Sequence, residues 1–343
     1  MIYTNLPHTD IEVSKICLGT MTWGNQNTEE EGHEQINYAI DKGVNFLDTA
    51  ELYPVPAHKD RYAATEKVIG NWFKKNGNRE DIVLASKIAG KADMTKFIRT
   101  TGFTRESIIE AVEGRLQTDY IDLYQLHWPD RSTNYFGQRG YKHDISDHWE
   151  DNIHQVLETM RDLIREGKIK HVGISNETPW GTMRFLEESK VHGTLPRTIT
   201  IQNPYSLLNR LFEVGMAEIS MREQVGLLAY SPMGFGALSG KYLGDRMPEG
   251  SRLSLFPQYN RYIGKTAVEA TKKYYELAQA NGLTLAQMAL AFVNTRPFVT
   301  STIIGATSMR QLEENIGSID VNLSEDIIEK IEAIHNSIPN PAP

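Results

Sequence analysis

Cysteine is almost missing from this chain. Cys17 is the only one in 343 residues, so an intrachain disulfide is excluded and an apolar core has to hold the fold. Cys17 lies inside the strand-like run SKICLG, where a small buried thiol is expected rather than a redox group. Long apolar runs are missing too: no stretch reaches the roughly 18 to 20 residues that a membrane span needs. No positively charged segment leads into an apolar one near Met1, which predicts a chain that is not exported and a cytoplasmic location. Positive charge is not in excess. With a formal net charge of -8, neither nucleic acid nor an anionic membrane is an expected partner, and any bound anion needs a local basic pocket. A Pro/Ser/Gly-rich linker, a low-complexity tract and short repeats are also lacking, which predicts one domain over residues 1–343.

What is present is an ordinary globular composition, 40% hydrophobic and 23% charged, arranged in a regular rhythm. The first residues alternate polar and apolar on both sides of His8-Thr9-Asp10, predicting a hairpin that caps one end of the fold. Eight short apolar or β-branched runs follow: KICLG, GVNFLD, DIVLASK, YIDLYQLH, IKHVGIS, TITIQN, VGLLAY and TSTIIG. Helical periodicity fills residues 29–42, 65–76, 104–117, 150–166, 178–192, 212–222, 266–281 and 308–317. Eight strands alternating with eight helices predict an α/β fold, a (β/α)₈ TIM barrel. Two more helical stretches, 284–294 and 323–335, stand outside the alternation and are expected on the barrel exterior.

Three connections are too long for turns: 54–64, 128–149 and 231–265. Each follows the C-terminal end of a strand, where barrels build their sites. The second carries Trp128, Tyr135, Phe136 and Tyr141, an aromatic load that suits a substrate pocket or loop self-packing. In the first, His58, Lys59, Asp60 and Arg61 read as a solvated charge run, with contact to a charged substrate as the other reading.

Asp48, Lys87 and His127 close apolar runs, and Tyr53 follows Asp48 by five residues. Gathered at one end of a parallel sheet they form a proton-transfer site. Tyr53 is the candidate proton donor. An unperturbed phenol, with a pKa of about 10, is a slow acid at neutral pH, and a nearby ammonium lowers that value. Lys87 supplies the ammonium, Asp48 keeps it charged, and His127 orients a carbonyl oxygen and stabilises its developing charge.

The motifs GTMTWG (19–24), NFLDTAELY (45–53), ASK (85–87), DYIDLYQLHWPD (119–130), GISN (173–176), QNPYSLLNR (202–210), YSPMGFGALSGKY (230–242) and IIGATSMRQLEENI (303–316) together resemble the aldo-keto reductase family. Within it they resemble the bacterial Tas-like branch related to potassium-channel β subunits. The resemblance runs nearly end to end. It implies that Asp48, Tyr53, Lys87 and His127 form the catalytic tetrad and that the cofactor is NADPH (NADP⁺). Gly19, Thr20, Met21 and Asp48 would border the cofactor. Ser175, Asn176 and Gln202 would bind its carboxamide, and Tyr230 would stack on the nicotinamide.

By the same resemblance Ser231, Met233, Gly236, Leu238 and Lys241 would meet the pyrophosphate. Ser251-Arg252 would reach the 2′-phosphate, a group that suits the arginine fork. Gly305, Thr307, Gln311, Glu314 and Asn315 would hold the adenosine. Trp23, Tyr53, His127 and Trp128 are the expected substrate pocket. Met21 departs from a tryptophan common in related chains, and Thr307 from a serine.

The expected function is NADPH-dependent reduction of an aldehyde or ketone, with a small-molecule carbonyl as partner and no metal. Oligomeric state is left open. Two other readings stand beside it. A cofactor-binding regulatory or redox-sensing protein with slow turnover matches the channel-subunit resemblance. A glycosidase or aldolase on the same barrel fits poorly without a placed carboxylate pair or a substrate-trapping lysine.

Overall fold

A computed structural model describes residues 1–114, 116–147 and 149–343. Strands β1 (Tyr3–Asn5) and β2 (Glu12–Ser14) form an antiparallel hairpin. The remaining strands are β3 (Ile16–Gly19), β4 (Phe46–Asp48), β5 (Val83–Ile88), β6 (Ile121–Leu126), β7 (Ile169–Ser175), β8 (Thr198–Pro204), β9 (Gly226–Tyr230) and β10 (Val299–Ile304). They close into a barrel in the order β10-β3-β4-β5-β6-β7-β8-β9. All its pairings are parallel, and the seam joins Ile16 to Thr302. The fold is the expected eight-stranded α/β barrel with its N-terminal hairpin.

The helices are α1 (Glu29–Asp41), α2 (Ala64–Asn76), α3 (Arg105–Val112), α4 (Ile153–Arg165), α5 (Pro179–Val191) and α6 (Phe212–Glu223). They continue with α7 (Arg252–Leu255), α8 (Lys265–Ala280), α9 (Leu285–Asn294), α10 (Met309–Gly317) and α11 (Glu325–Ser337). Local chemistry marks their starts. Thr28 with Glu31 closes a capping box on α1, and Thr178 caps α5 with Pro179 in its first turn. Among the described residues no helix is long and apolar enough to cross a membrane.

Two expectations change. The helix foreseen over 104–117 ends at Val112, because the chain leaves it at Glu113-Gly114 and turns through Gln117 at φ 49°. Arg115 of that stretch, like His148 of the second long loop, lies outside the described residues. The extra helices also exchange roles. Between β9 and β10 it is α9 that packs on β10 and buries eight of its ten residues, while α8 lies outside it against α11. A helix apolar on all sides belongs inside, and LAQMALAFVN is one.

Strand side chains alternate in direction. At the N-terminal end, Leu6 and Val13 of the hairpin join Cys17, Phe46, Val83, Ala85, Leu123, Ile199, Leu228 and Ile303 in one buried apolar plug. Further along the same strands, Asp48, Lys87, Gln125 and His127 are buried instead. The hairpin therefore closes one end and leaves the polar chemistry to the other.

Candidate active site

Asp48, Tyr53, Lys87 and His127 meet at the C-terminal end of the barrel. The fully buried Lys87 Nζ donates to Asp48 Oδ2 at 2.8 Å and to the Thr49 carbonyl at 2.6 Å. The same Nζ lies 5.0 Å from the centroid of the Tyr53 ring. His127 stands edge-on to Tyr53, with ring centroids 5.8 Å apart. Asp48 is held on its other oxygen, where Gln202 Nε2 donates to Oδ1 at 2.8 Å. Thr20 braces the strand end from β3, its hydroxyl donating to the Asp48 carbonyl at 2.9 Å.

Electrostatics sort the group. Burial pulls the Lys87 ammonium down, but Asp48 and Tyr53 more than restore it and leave its pKa above the ordinary lysine value. Burial pushes the Tyr53 phenol up, and although Lys87 opposes this, the phenol ends above its ordinary value. The sequence predicts the opposite net direction from the ammonium alone. Burial, then Lys87, drive His127 well below the ordinary histidine value, so the ring is neutral near pH 7. Its Nδ1 has no hydrogen-bond partner among the described residues. The site thus holds a protonated phenol, a charged ammonium and a neutral imidazole around one opening. Cys17 lies below, buried and with its thiol pushed well up by burial, and so is inert.

Ser175, Asn176, Gln202 and Tyr230 come together on adjacent strand ends, already bonded to one another. Tyr230 Oη donates to Asn176 Oδ1 at 2.6 Å. Asn176 Nδ2 donates to the His127 carbonyl at 2.9 Å, and Ser175 Oγ to that of Gln202 at 2.7 Å. Thr178 takes the helix cap, so Ser175 and Asn176 are free of that duty. Asn176 and Ser231 both adopt left-handed backbone, with φ of 54° and 52°.

The loop after Tyr230 gathers cations. Arg252 lies 4.8 Å from the Phe235 ring centroid and Arg261 lies 5.6 Å from it. A Cβ on Gly236, at φ 89°, would come within 3.0 Å of Lys241 Nζ. Among the described residues no carboxylate forms an ion pair with Lys241, Arg252 or Arg261. Burial lowers the Arg252 pKa. Three cations without acids, in an acidic protein, are an anion site in waiting. Ser231 and Met233 lie at the start of this loop, and the Met233 carbonyl accepts from the amides of Gly236 and Leu238. Leu238 packs its side chain fully buried in the core and its amide donates to the Met233 carbonyl.

On α10 and the loop before it, the Thr307 amide and hydroxyl donate to Gln311 Oε1 at 3.0 and 3.2 Å, and Asn315 Nδ2 donates to the Gly305 carbonyl at 3.1 Å. Glu314, on the same helix, accepts from Thr284 on the neighbouring α9 cap at 2.6 Å.

Trp23 departs from the expected substrate pocket. It is fully buried in the main core, its Nε1 donating to Gln35 at 3.0 Å, and its ring lies against Gly32 of α1. The wall around Tyr53 is instead Ala50, Leu52, Ala89 and Trp128, with Met21, Val55, Ala57, Ala92, Ile98 and Tyr135 packed against it. Trp128 stacks on Tyr135 at 6.4 Å and meets Phe136 edge-on at 5.7 Å, so the second loop both packs on itself and roofs His127. Tyr141 turns away and is exposed beside His143. His58, Lys59, Asp60 and Arg61 are all exposed, as foreseen, with His58 paired to Asp60 at 3.3 Å.

Sequence reasoning missed Gln125 and Arg261. Gln125, which accepts from Gln202 at 3.3 Å, signalled itself as an amide two residues before His127 inside an apolar strand. Arg261 carried only the weak signal of a third arginine in the third long loop.

A family profile, described as the aldo/keto reductase family, matches residues 15–336. Protein tas of Escherichia coli strain K12 is 48% identical to the chain over the full length of both. The uncharacterized oxidoreductase YrpG of Bacillus subtilis strain 168 is 31% identical, covering 97% of this chain and 96% of its own. The aldo-keto reductase YhdN of the same organism is 29% identical over 99% and 96% respectively.

Proposed function

The chain belongs to the aldo/keto reductase family and is an oxidoreductase of the carbonyl-reducing kind, and from that premise we propose that it reduces aldehydes or ketones to alcohols with NADPH. The observation that carries this reading is the protonated Tyr53 phenol standing beside both Lys87 and His127. Tyr53 gives its proton to the carbonyl oxygen as charge develops there, a step worth roughly 10² to 10⁴ in rate. His127, neutral, donates a hydrogen bond to that oxygen and fixes it over the phenol. Lys87 stabilises the phenolate left behind, and Asp48 holds Lys87 in place.

The fit to the cofactor rests on the acid-free cations. Lys241 and Arg252 suit phosphate groups, with Arg252 on the 2′-phosphate that separates NADPH from NADH. When bound, the nicotinamide supplies the hydride. Tyr230 and Asn176 border its ring; Ser175, Asn176 and Gln202 would exchange protein bonds for contacts to the carboxamide. Gly19, Thr20 and Met21 would border its opposite edge, and Gly305, Thr307, Gln311, Glu314 and Asn315 would take the adenosine. The apolar wall of Met21, Val55, Trp128 and Tyr135 excludes water and favours carbonyls with an aromatic or aliphatic body. A reducing cytoplasm is the compartment this reading calls for.

The test is a stopped-flow NADPH titration followed by a panel of aldehydes, ketones and quinones, with Tyr53→Phe as control. Tight NADPH binding and turnover lost in Tyr53→Phe are expected. Tight binding with no oxidation by any carbonyl would favour a regulatory role, and full activity in Tyr53→Phe would remove the assigned proton donor.

A further inference from the structure

Away from the barrel mouth, groups with metal-ligand chemistry meet between α4 and α5. His154 Nδ1 stands 2.7 Å from Glu188 Oε1, and His192 Nε2 stands 3.2 Å from the same oxygen. The two imidazole rings are 4.6 Å apart at 79°. All three candidate ligand atoms lie within 4.8 Å of one another. Ligands held about 2.0 to 2.2 Å from a tetrahedral ion are roughly 3.4 Å apart, so small side-chain adjustments open this triangle to an ion.

The surroundings hold the carboxylate for that purpose. Arg184 NH1 lies 2.6 Å from Glu188 Oε2, and Arg184 Nε donates in turn to Asp151 Oδ2 at 2.8 Å. One carboxylate oxygen is thereby tied back, and the other is left to face both histidines. Asp151 also offsets the arginine charge that would oppose a cation. His154 Nε2 lies 3.8 Å from Glu158 Oε2, so the ring has a carboxylate on its far side, as ligating histidines commonly do. Glu188 is buried while both histidines reach solvent, which gives an ion a rigid floor and an open path.

We propose that His154, Glu188 and His192 bind one divalent transition-metal ion of the zinc class, with water as the fourth ligand, clamping α4 to α5. Two imidazoles and one carboxylate suit Zn²⁺, Co²⁺, Ni²⁺ or Cu²⁺; Mg²⁺ and Ca²⁺ prefer oxygen ligands throughout. The sequence reading expects no metal because the ligands make no local motif. Only Glu188 and His192 stand one helical turn apart, and His154 precedes Glu188 by 34 residues.

The experiment is isothermal titration of the full chain, stripped with EDTA, with ZnCl₂, alongside visible absorption on adding Co²⁺. Saturation at one ion per chain is expected, with the absorption of four-coordinate cobalt and a Zn²⁺-dependent rise in melting temperature that EDTA reverses. His154→Ala and His192→Gln should each weaken binding by about tenfold or more, since even outer-shell partners are worth that much. His33→Ala on α1 should leave it unchanged. The variants' far-UV spectra verify that they fold, and both substituted positions are partly or fully exposed. Absence of saturable binding, or binding that persists in the His154→Ala/His192→Gln double variant, overturns the proposal.

Discussion

At the N-terminal end of the barrel Phe46, Ala85 and Leu123 pack beneath the hairpin residues Leu6 and Val13. Two residues further along the same strands, Asp48, Lys87 and Gln125 are buried beside one another. Strand geometry is the same in both layers, so the difference is one of side chains alone. The lower layer needs no partner beyond apolar contact. Every charge in the upper layer has to be answered, as Asp48 answers Lys87, because an unpaired buried charge costs several kcal/mol. A barrel can thus concentrate stability at one end and reactivity at the other, and substitutions at the two ends should fail in different ways.

The sharpest way to break that contrast is Tyr53→Phe. Carbonyl reduction should fall about 10²- to 10⁴-fold in kcat/KM, while the melting temperature and NADPH affinity stay close to those of the parent. The converse at the plug is Leu6→Ala. It should cost about 2 to 5 kcal/mol of unfolding free energy, read by denaturant titration, with kcat per folded molecule unchanged. Loss of activity in proportion to stability in both variants would erase the distinction.

Which parts of this division were legible in sequence follows from periodicity. Asp48, Lys87 and His127 interrupt apolar strand runs at their C-terminal ends, and a period of two residues is enough to aim them together. Trp23 and Met21 share a loop with no period, so nothing in GTMTWG tells which turns into the core and which borders Tyr53. The exchange between α8 and α9 was recoverable, since an apolar surface on all sides of 285–294 marks the inner helix. Counting alternating elements conceals it. The net shift of Tyr53 was out of reach: a sequence names the cation, but burial decides the balance.

A smaller effect separates the cofactors. Arg252→Ala should lose about 1.5 to 3 kcal/mol of NADPH binding, the worth of a charged hydrogen bond, and leave NADH binding nearly as before. Equal losses for both would move Arg252 away from the 2′-phosphate.

The smallest is a matter of pH. In the proposed mechanism reduction needs the protonated phenol, and burial holds Tyr53 above its ordinary value of about 10 despite Lys87. The kcat/KM profile should therefore stay level through neutral pH and fall only above that value. Lys87→Met removes a cation that lowers the phenol, so the alkaline fall should move higher still. With His127 held well below its ordinary value, no loss from its protonation is expected near neutrality.

The seam of the barrel has a consequence for how the molecule is made. Strand β3, near the start of the chain, finishes its pairing with β10, near the end. Behind that pair the Ser301 hydroxyl donates to the Ser14 carbonyl at 2.8 Å, and the Thr302 amide donates to that of Lys15 at 2.8 Å. At synthesis rates of about 5 to 20 residues per second, the first strand waits roughly a quarter of a minute to a minute for its last neighbour. Throughout that wait an edge of β3 is open to any passing strand, and for its last part so is the edge of β9. The ribosome delivers the closing strand late, and the nascent chain must be kept from solving the problem with another copy of itself.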